Sequence, residues 1–455
     1  MDRRSLLKSA AAAAAAVPFH ALIARAGVLA RAGDFRALRT TGYGPLVEAL
    51  DEATGLPLLK LPEGFRYVSF GWAGDVMADG RRTPGKHDGM AAFAAGHGRV
   101  HLVRNHEEEI GAPFSSVVYD PQGAGGTTTI EFDTEAGRFV SAHGSLSGTV
   151  RNCAGGPTPW GSWLTCEETT GATDLPHGYV FEVPAGWPGD PAPLRAMGRF
   201  SHEAVAIDPA TGYVYETEDA GASVLSFFGA PSKSGFYRFI PHASGRLSAG
   251  GQLFMLKVKG RSKIDLGDDY ANGTTFDTEW VPIAQPDPTS VRAPEDFVWV
   301  QGRALGAATF ARLEGCWYGN DRKIYIVSTN GGRGQGQIWV YDPGVETISL
   351  LFQSPGKEVL NRPDHLTVSP RGGLVLCEDG GGDEFLHGLT IDGRIFPFAQ
   401  NNVKLRGERN GLKGDFTGSE WAGPCYSPDG RWLFANIYEP GITVAITGPW
   451  QNGAL

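Results

Sequence analysis

Beyond its first 26 residues, the sequence lacks any run of about 18 apolar residues, the length that a membrane-spanning helix requires. It has only five cysteines and no C-x-x-C pair, so it contains neither a zinc-ribbon motif nor a dithiol redox motif. Basic charge is also scarce, because 40 Lys and Arg stand against 50 Asp and Glu, and the net charge of −10 argues against a nucleic-acid partner. Helical periodicity is nearly absent, with residues 43–53 as the candidate.

Glycine, by contrast, is abundant. The chain contains 64 glycines in 455 residues, roughly twice the usual share, and they follow no collagen period. This composition indicates many turns between short strands. The hydrophobic share of 41% and the charged share of 20% are those of a globular protein that can bury a core of normal size.

The N-terminus has the features of an export signal. Arg3 and Arg4 precede a mild apolar stretch that begins at Ala10, and Ala24-Arg25-Ala26 has the small-x-small form of a cleavage site. We therefore predict a twin-arginine signal peptide over residues 1–26, followed by an N-terminal extension over residues 27–59. The mature protein is expected in the periplasm or outside the cell, with the twin-arginine export machinery as a partner. A short amphipathic helix with a basic start is the alternative.

A repeat runs through the rest of the chain. Residues 206–219 and residues 367–379 both consist of an apolar strand, a turn with Pro and Gly, a second apolar strand and an acidic pair. Related copies cover residues 88–108, 154–168, 313–330 and 425–436. Two strands of about six residues joined by a short turn form a hairpin of this length.

Each copy opens and closes with a polar side chain. The opening residues are Asp88, Cys153, Glu203, Glu314, Asp364 and Glu420. The closing residues are Glu107, Glu167, Glu218, Thr329, Glu378 and Asn436. A chain that runs out and back brings both ends of a hairpin to one edge of the sheet, so we expect all these residues at one end of the fold.

This pattern predicts an all-β fold, a six-bladed β-propeller with an inter-blade insertion. The propeller is expected as a single domain over residues 60–455. The long interval between Glu203 and Glu314 requires an insertion, which we place at about residues 231–295. In a propeller the opening residues would ring one mouth of the central channel. A two-sheet sandwich is the alternative, and it would scatter the acidic edges.

Carboxylates that converge on a small mouth repel one another, and bound cations are the simplest relief. Their oxygens suit Ca²⁺ or Mg²⁺, whereas Cys153 is a softer ligand that would draw iron or zinc. His106 and His202 are also expected near the mouth. We interpret them as hydrogen-bonded core histidines, with metal ligation as the alternative.

Arg312 precedes Glu314 by two residues, so both side chains share one face if the strand has begun. An arginine among metal-bound carboxylates is a poor choice unless an anion binds there, and its planar donors match phosphate. The alternative is an arginine that neutralises Glu203 or Glu314.

These segments closely resemble the PhoX-type alkaline phosphatases, and the resemblance spans roughly residues 60 to 450. It is carried by residues 105–107, 152–168, 198–204, 312–315, 363–364, 377–379 and 420–450. The stretch from Asn152 to Glu168 is the most specific of them.

The resemblance implies a propeller with a deep cluster of two ferric ions and three calcium ions around a bridging oxo group. It implies that Cys153 ligates iron, that Arg312 and Glu314 bind phosphate and metal as the catalytic pair, and that Glu203 is a metal ligand. Ligand status is extended, partly on repeat geometry, to Glu167, Glu168, Glu378 and Glu420.

The expected function is thus an exported, metal-dependent phosphatase that hydrolyses phosphomonoesters in the propeller mouth. The protein is expected to be a monomer. The alternatives are a calcium-dependent lactonase or phosphotriesterase, and a non-catalytic binding propeller stabilised by calcium. Cys153 discriminates between them, because a purely calcium site has no use for a thiolate. A disulfide between Cys153 and Cys166 would remove the iron interpretation.

Overall fold

The computed structural model describes residues 39–40, 42–171, 173–219, 233–289 and 297–455. The predicted signal peptide and the first part of the N-terminal extension lie outside these residues. Within the described part of the chain, no helix is long and apolar enough to span a membrane.

The first strands belong to sheets formed much later in the sequence. They are β1 (Leu46–Ala49), β2 (Leu59–Pro62) and β3 (Arg66–Phe70). The helical prediction for residues 43–53 is wrong, because β1 pairs antiparallel with β2 and this pairing overrides the local periodicity.

The next strands form two antiparallel meanders. The first contains β4 (His87–Gly96), β5 (Arg99–His106), β6 (Gly125–Asp133) and β7 (Arg138–Thr149). The second contains β8 (Asn152–Pro157), β9 (Ser162–Glu167) and β10 (Val180–Pro184).

A nine-stranded sheet follows, and it consists of two meanders joined by one shared strand. One meander contains β11 (His202–Ile207), β12 (Val214–Glu218), β13 (Phe236–Pro241) and β14 (Gly251–Val258), and the shared strand is β15 (Thr275–Pro282). After the helix α1 (Val298–Ala304), the other contains β16 (Leu313–Tyr318), β17 (Ile324–Ser328), β18 (Gln337–Asp342) and β19 (Thr347–Gln353).

Two further meanders complete the fold. One contains β20 (Pro363–Val368), β21 (Leu374–Glu378), β22 (Phe385–Leu389) and β23 (Ile395–Asn401), with β2 and β1 added at its outer edge. A two-stranded ribbon follows, with β24 (Lys404–Arg406) and β25 (Lys413–Asp415). The last contains β26 (Trp421–Tyr426), β27 (Leu433–Ile437) and β28 (Ile442–Thr447), and β3 is its fourth strand. Short 3₁₀ turns lie at Arg195–Met197, Leu247–Ala249 and Trp450–Asn452.

The innermost strands contact one another in a closed cycle, in the order β4, β8, β11, β16, β20, β26 and back to β4. Apolar clusters fill the spaces between neighbouring meanders. This arrangement confirms the predicted β-propeller and excludes a two-sheet sandwich. The chain closes the ring by pairing β3, from its beginning, with β28, from its end.

Glycine serves the ring as well as the turns. A Cβ atom at Gly89 would lie 2.6 Å from the Cα of Ala154 on the next inner strand, and one at Gly156 would lie 1.9 Å from the carbonyl oxygen of Val205. A Cβ at Gly423 would lie 2.4 Å from the carbonyl oxygen of Asp88. The inner strands therefore approach so closely that only glycine fits at these positions, which keeps the central channel narrow.

The predicted inter-blade insertion includes strands that belong to a regular meander. Two strands that lie inside residues 231–295, β13 and β14, are regular members of their meander. The departure from the repeat begins after β14, and includes β15, which pairs with both β14 and β19. In the sequence, the many polar residues that follow β14 hide the alternation of apolar residues within β14 itself.

Candidate metal and phosphate site

Every inner hairpin carries a β-bulge at the same place. The register shifts lie between His87 and Met90, Asn152 and Gly155, His202 and Val205, Leu313 and Cys316, Pro363 and Leu366, and Ala422 and Cys425. The first residue inside each bulge is Asp88, Cys153, Glu203, Glu314, Asp364 or Gly423. A bulge re-aims side chains at the edge of a sheet, so the repeated bulge directs a repeated ligand position.

These bulge residues converge with several others. Four overlapping groups have ligand atoms within 4.8 Å of one another. The groups are Asp88, Cys153 and His365; Cys153, Glu168 and Glu203; Glu203, Asp364 and His365; and Asp364, Asp379 and Glu420. The structure thus brings together the predicted ligands Cys153, Glu168, Glu203 and Glu420.

Several oxygens of this central cluster have no hydrogen-bond donor. Oδ1 of Asp88, Oε2 of Glu203 and Oδ1 of Asp364 are buried and unpartnered among the described residues. A buried, unpartnered carboxylate oxygen is costly, and cations are the partners that the surrounding donor set suits. The residues present therefore fit a group of bound metal ions.

The pKa values of the cluster point the same way. Burial, together with Asp219 and Glu107, raises the pKa of Glu203 to about 8 although Cys153 opposes the shift. Burial and the neighbouring Glu203 raise the pKa of Asp364 to about 7, against the opposing effect of His365. Without cations, both carboxylates therefore bind protons more readily than free carboxylates do, whereas bound cations would favour their charged forms.

Cys153 lies inside this cluster. Its Sγ is 3.9 Å from Nε2 of His365, and burial, followed by Asp88 and Glu203, raises the pKa of the thiol well above its usual value. All five cysteines are free, so no disulfide joins Cys153 to Cys166. A thiolate at this position needs a bound cation, as the iron interpretation requires.

Two predicted ligands, Glu167 and Glu378, are not brought to the cluster. Oε1 of Glu167 accepts a hydrogen bond from the Val150 N–H at 3.0 Å and lies 2.6 Å from Nδ1 of His177. Its Oε2 accepts from the N–H groups of Gly178 and Tyr179 at 2.9 and 3.2 Å. Its oxygens are thus occupied by protein donors.

Glu378 has the same arrangement. It accepts hydrogen bonds from the N–H groups of Asn361 and Phe385 at 2.8 and 3.2 Å, and Nε2 of His387 lies 2.9 Å away. Glu218 likewise accepts from the Gly235 N–H and the Tyr237 hydroxyl, at 2.9 and 2.7 Å. We call Glu167, Glu218 and Glu378 the anchoring carboxylates, because each accepts hydrogen bonds from backbone N–H groups of neighbouring segments.

The residue after each anchoring carboxylate faces the centre instead. Glu168 and Asp379 belong to the central cluster, and Asp219 binds Arg312. Asp219 and Asp379 were not among the predicted site residues, although both stand in the acidic pairs of the repeat. Neighbouring residues on a strand point to opposite faces, so an acidic pair can supply one anchoring and one central carboxylate.

His365 is the other residue that sequence reasoning missed. It occupies the second bulge position, where the other repeats have Gly89, Ala154, Ala204, Gly315 and Pro424. Its Nδ1 accepts a hydrogen bond from the Gly423 N–H at 2.9 Å, so the neutral ring carries its proton on Nε2. That nitrogen lies 3.3 Å from Oε1 of Glu203, which makes His365 a donor to the cluster.

His106 and His202 are core residues, as the sequence interpretation held. Nδ1 and Nε2 of His106 lie 2.8 Å from the Gly85 carbonyl and 2.9 Å from the Thr128 hydroxyl. His202 lies 3.1 Å from the Gly178 carbonyl and 3.0 Å from Glu216. Burial lowers the pKa of His202 to about 3, so it is neutral.

Arg312 stands at the edge of the cluster. Its Nε and Nη2 bind the carboxylate of Asp219 at 3.0 and 2.7 Å, and Nη2 lies 2.8 Å from Oε1 of Glu314. The adjacent Glu314 raises the pKa of the guanidinium. Nη1 makes no hydrogen bond within the described residues, so Arg312 neutralises Glu314 and still retains donors for an anion.

The profile of the family described as alkaline phosphatase PhoX matches residues 41–146 and 140–441. The chain belongs to this family. The resemblance seen in the sequence is thereby confirmed, and the protein is a metal-dependent phosphatase. No curated protein matches the sequence.

Solved structures resemble this one in fold. PhoX of Pseudomonas fluorescens, in complex with the transition-state analogue vanadate, has a TM-score of 0.63 and 16% identity, over 92% of this chain and 99% of that chain. A gluconolactonase of Xanthomonas campestris has a TM-score of 0.45 and 13% identity, over 89% and 98%. A streptogramin B lyase has a TM-score of 0.41 and 12% identity, over 85% and 98%.

Proposed function

We propose that the protein is an exported phosphatase that hydrolyses small phosphomonoesters at an iron and calcium cluster in the propeller mouth. The observation that carries this proposal is the position of Arg312. Its Nη1 retains unused N–H donors, and it lies beside buried carboxylates whose oxygens lack hydrogen-bond donors. A cation group and an adjacent guanidinium together form a site for a phosphoryl dianion.

The metal ligands would come from the bulge positions, from the second acid of an acidic pair, and from Glu420, which immediately precedes β26. We assign this role to Asp88, Cys153, Glu203, Glu314, Asp364, and to Glu168, Asp379 and Glu420. Glu167 and Glu378, which the sequence also suggested, would act through the strands that they join. The softness of the Cys153 thiolate supports iron at its end of the cluster, and the carboxylate oxygens elsewhere support calcium.

When bound, the metal ions would supply Lewis-acid activation and charge neutralisation. Arg312 would bind a non-bridging phosphoryl oxygen and hold it as negative charge develops. Asp219 fixes the guanidinium through its bidentate contact, and Glu314 holds it from the other side. His365 donates its Nε2 proton towards Glu203 and so orients that carboxylate.

Several finer features belong to the same proposal. The twin arginines support export through the twin-arginine pathway, which carries folded proteins and would deliver the protein to the periplasm or beyond. The compact mouth supports a small phosphomonoester as substrate, and a monomer would suffice because all proposed residues come from one chain.

The direct test is turnover by protein isolated through its export pathway. We expect it to release phosphate from para-nitrophenyl phosphate and to lose this activity on removal of metal. Addition of calcium to iron-containing protein should restore it. Hydrolysis of a lactone with calcium alone, with no phosphate release from the ester, would overturn the proposal in favour of the lactonase alternative.

A further inference from the structure

The residue before each inner strand is a cation in most of the repeats. Two places before the bulge residue stand Lys86, Arg151, Ser201, Arg312, Arg362 and Trp421. The four cations share one backbone conformation, with φ of 43°, 51°, 52° and 52°. This left-handed region is unfavourable for a side chain with a Cβ, and glycine would be the unstrained choice. The chain nevertheless places long cationic side chains there.

Two of these cations are held by acids. Arg151 lies 2.8 Å from Glu107, which belongs to the preceding meander, just as Arg312 contacts Asp219 of its own preceding meander. Arg151 also lies 2.5 Å from Glu168. Each of these guanidinium groups therefore forms an ion pair with an acid at the end of the preceding hairpin.

Arg362 has no such partner. The register-matched residue in its preceding meander is Thr329, whose hydroxyl donates to the Pro363 carbonyl. Two hydrogen bonds hold the Arg362 backbone: its carbonyl accepts from the Asp379 N–H at 3.0 Å, and its N–H donates to the Gln335 carbonyl at 3.2 Å. Its side chain is exposed and makes no hydrogen bond or ion pair within the described residues.

Arg362 also precedes the inner strand that neighbours the strand of Arg312. Its strand, β20, contacts the strand of Arg312, β16, in the inner ring. The other unpaired cation, Lys86, precedes β4, which does not neighbour β16 in that ring. Around the mouth, Arg362 is thus the unpaired cation closest in ring order to Arg312.

We propose that Arg362 is a specificity-determining residue that binds a second anionic group of the substrate, on the leaving-group side of the phosphate. The preferred substrates are then phosphomonoesters whose leaving group carries a carboxylate or a further phosphate near the ester. This inference rests on the proposed phosphatase function. A planar guanidinium recognises both kinds of anion, so the substrates tested must distinguish them.

The test compares three small substrates. Glycerol 3-phosphate has a neutral leaving group, 3-phosphoglycerate has the same carbon skeleton with a carboxylate, and glycerol 1,3-bisphosphate has that skeleton with a second phosphate. For Arg362→Ala we expect kcat/KM to fall about fivefold, through a higher KM, for one or both substrates that have an anionic leaving group, and to stay unchanged for glycerol 3-phosphate. Arg362→Lys should recover part of the loss, and added salt should reduce the preference.

Arg322→Ala is the matched control. Arg322 is also exposed and left-handed, with φ of 66°, but it lies in the turn at the far end of the β16–β17 hairpin. The substitution Arg322→Ala removes the same charge and should leave kcat/KM unchanged for all three substrates. If Arg322→Ala lowers kcat/KM for the same substrates as Arg362→Ala does, the effect is one of net charge and the proposal is overturned.

A binding measurement separates the two levels of the argument. Calorimetry on metal-loaded protein should show that Arg362→Ala raises the Kd of methylenediphosphonate about fivefold and leaves the Kd of methylphosphonate unchanged. If Arg362→Ala changes the affinity for both ligands equally, and kcat/KM for all three substrates equally, in an enzyme that remains active, the proposed role of Arg362 is contradicted and the proposed phosphatase function is not. A wild-type protein that hydrolyses none of the substrates would contradict the proposed function itself.

Discussion

Glu167 and Glu168 are neighbours in the chain, yet they have opposite surroundings. Glu167 is enclosed by N–H donors from three backbone positions and by His177, whereas Glu168 faces Cys153 and Glu203 and accepts a hydrogen bond from the side chain of Arg151. Glu378 and Asp379 repeat this division in another hairpin. The comparison teaches that, within an acidic pair, the carboxylate enclosed by backbone N–H donors holds strands together, and the one left without such backbone donors is the candidate ligand.

The largest effect is expected when a central carboxylate is removed. Glu203→Gln keeps the size of the side chain but removes a charge at the junction of two ligand groups. We expect metal content to fall and kcat/KM to drop by about a thousandfold, because the chemistry depends on the cations. Metal analysis and phosphate release on the same sample check this. A fully loaded, active Glu203→Gln protein would remove Glu203 from the ligand set.

Arg312→Lys should have the next largest effect. A lysine keeps the charge but cannot reproduce the bidentate contact with Asp219, so phosphate would be held less well. We expect kcat/KM to fall about a hundredfold while metal content stays near the wild-type value. If metal is lost together with activity, Arg312 holds the cluster together and does not bind substrate.

Removal of metal should lower the stability of the protein. Without cations, the buried carboxylates around Glu203 and Asp364 must repel one another or take up protons. A ligand at a hundred times its Kd stabilises by about 3 kcal/mol, so chelation should lower Tm by several degrees. Thermal unfolding with and without chelator checks this, and calcium should reverse part of the change. The Glu203→Gln protein should respond less than the wild type.

Glu167→Gln should give the smallest effect and the opposite pattern. The amide cannot accept all the hydrogen bonds that the carboxylate accepts, so we expect a loss of about 1–3 kcal/mol in unfolding free energy. Metal content and the activity of the folded protein should remain. Denaturant unfolding and metal analysis check this. A loss of metal with unchanged stability would return Glu167 to the ligand set that the sequence suggested.

The repeat in the sequence was sufficient to predict the propeller. Strand, turn, strand and acidic pair recur with similar lengths, and length alone brings both ends of a hairpin to one edge. The opening residues Cys153 and Glu203 were identified as candidate ligands for this reason, and Arg312 for its spacing from Glu314. These predictions depend on local periodicity, which a sequence shows directly.

The remaining features depend on contacts between distant segments. The assignment of Glu167 to protein donors requires His177 and Gly178, which lie beyond the hairpin. The placement of His365 results from a β-bulge, which leaves no clear sign in the alternation of apolar residues. The extent of the insertion was likewise obscured, because β15 pairs with two different meanders.

The most direct test of the central claim is elemental analysis of protein isolated through its export pathway, with an absorption spectrum of the same sample. The account predicts iron and calcium bound in the wild-type protein, about two and three ions per chain by family resemblance, with a visible charge-transfer band that is lost in Cys153→Ala. Glu167→Gln should retain both metals. Calcium without iron, or a Cys153→Ala protein with full iron content and turnover, would contradict the proposed cluster.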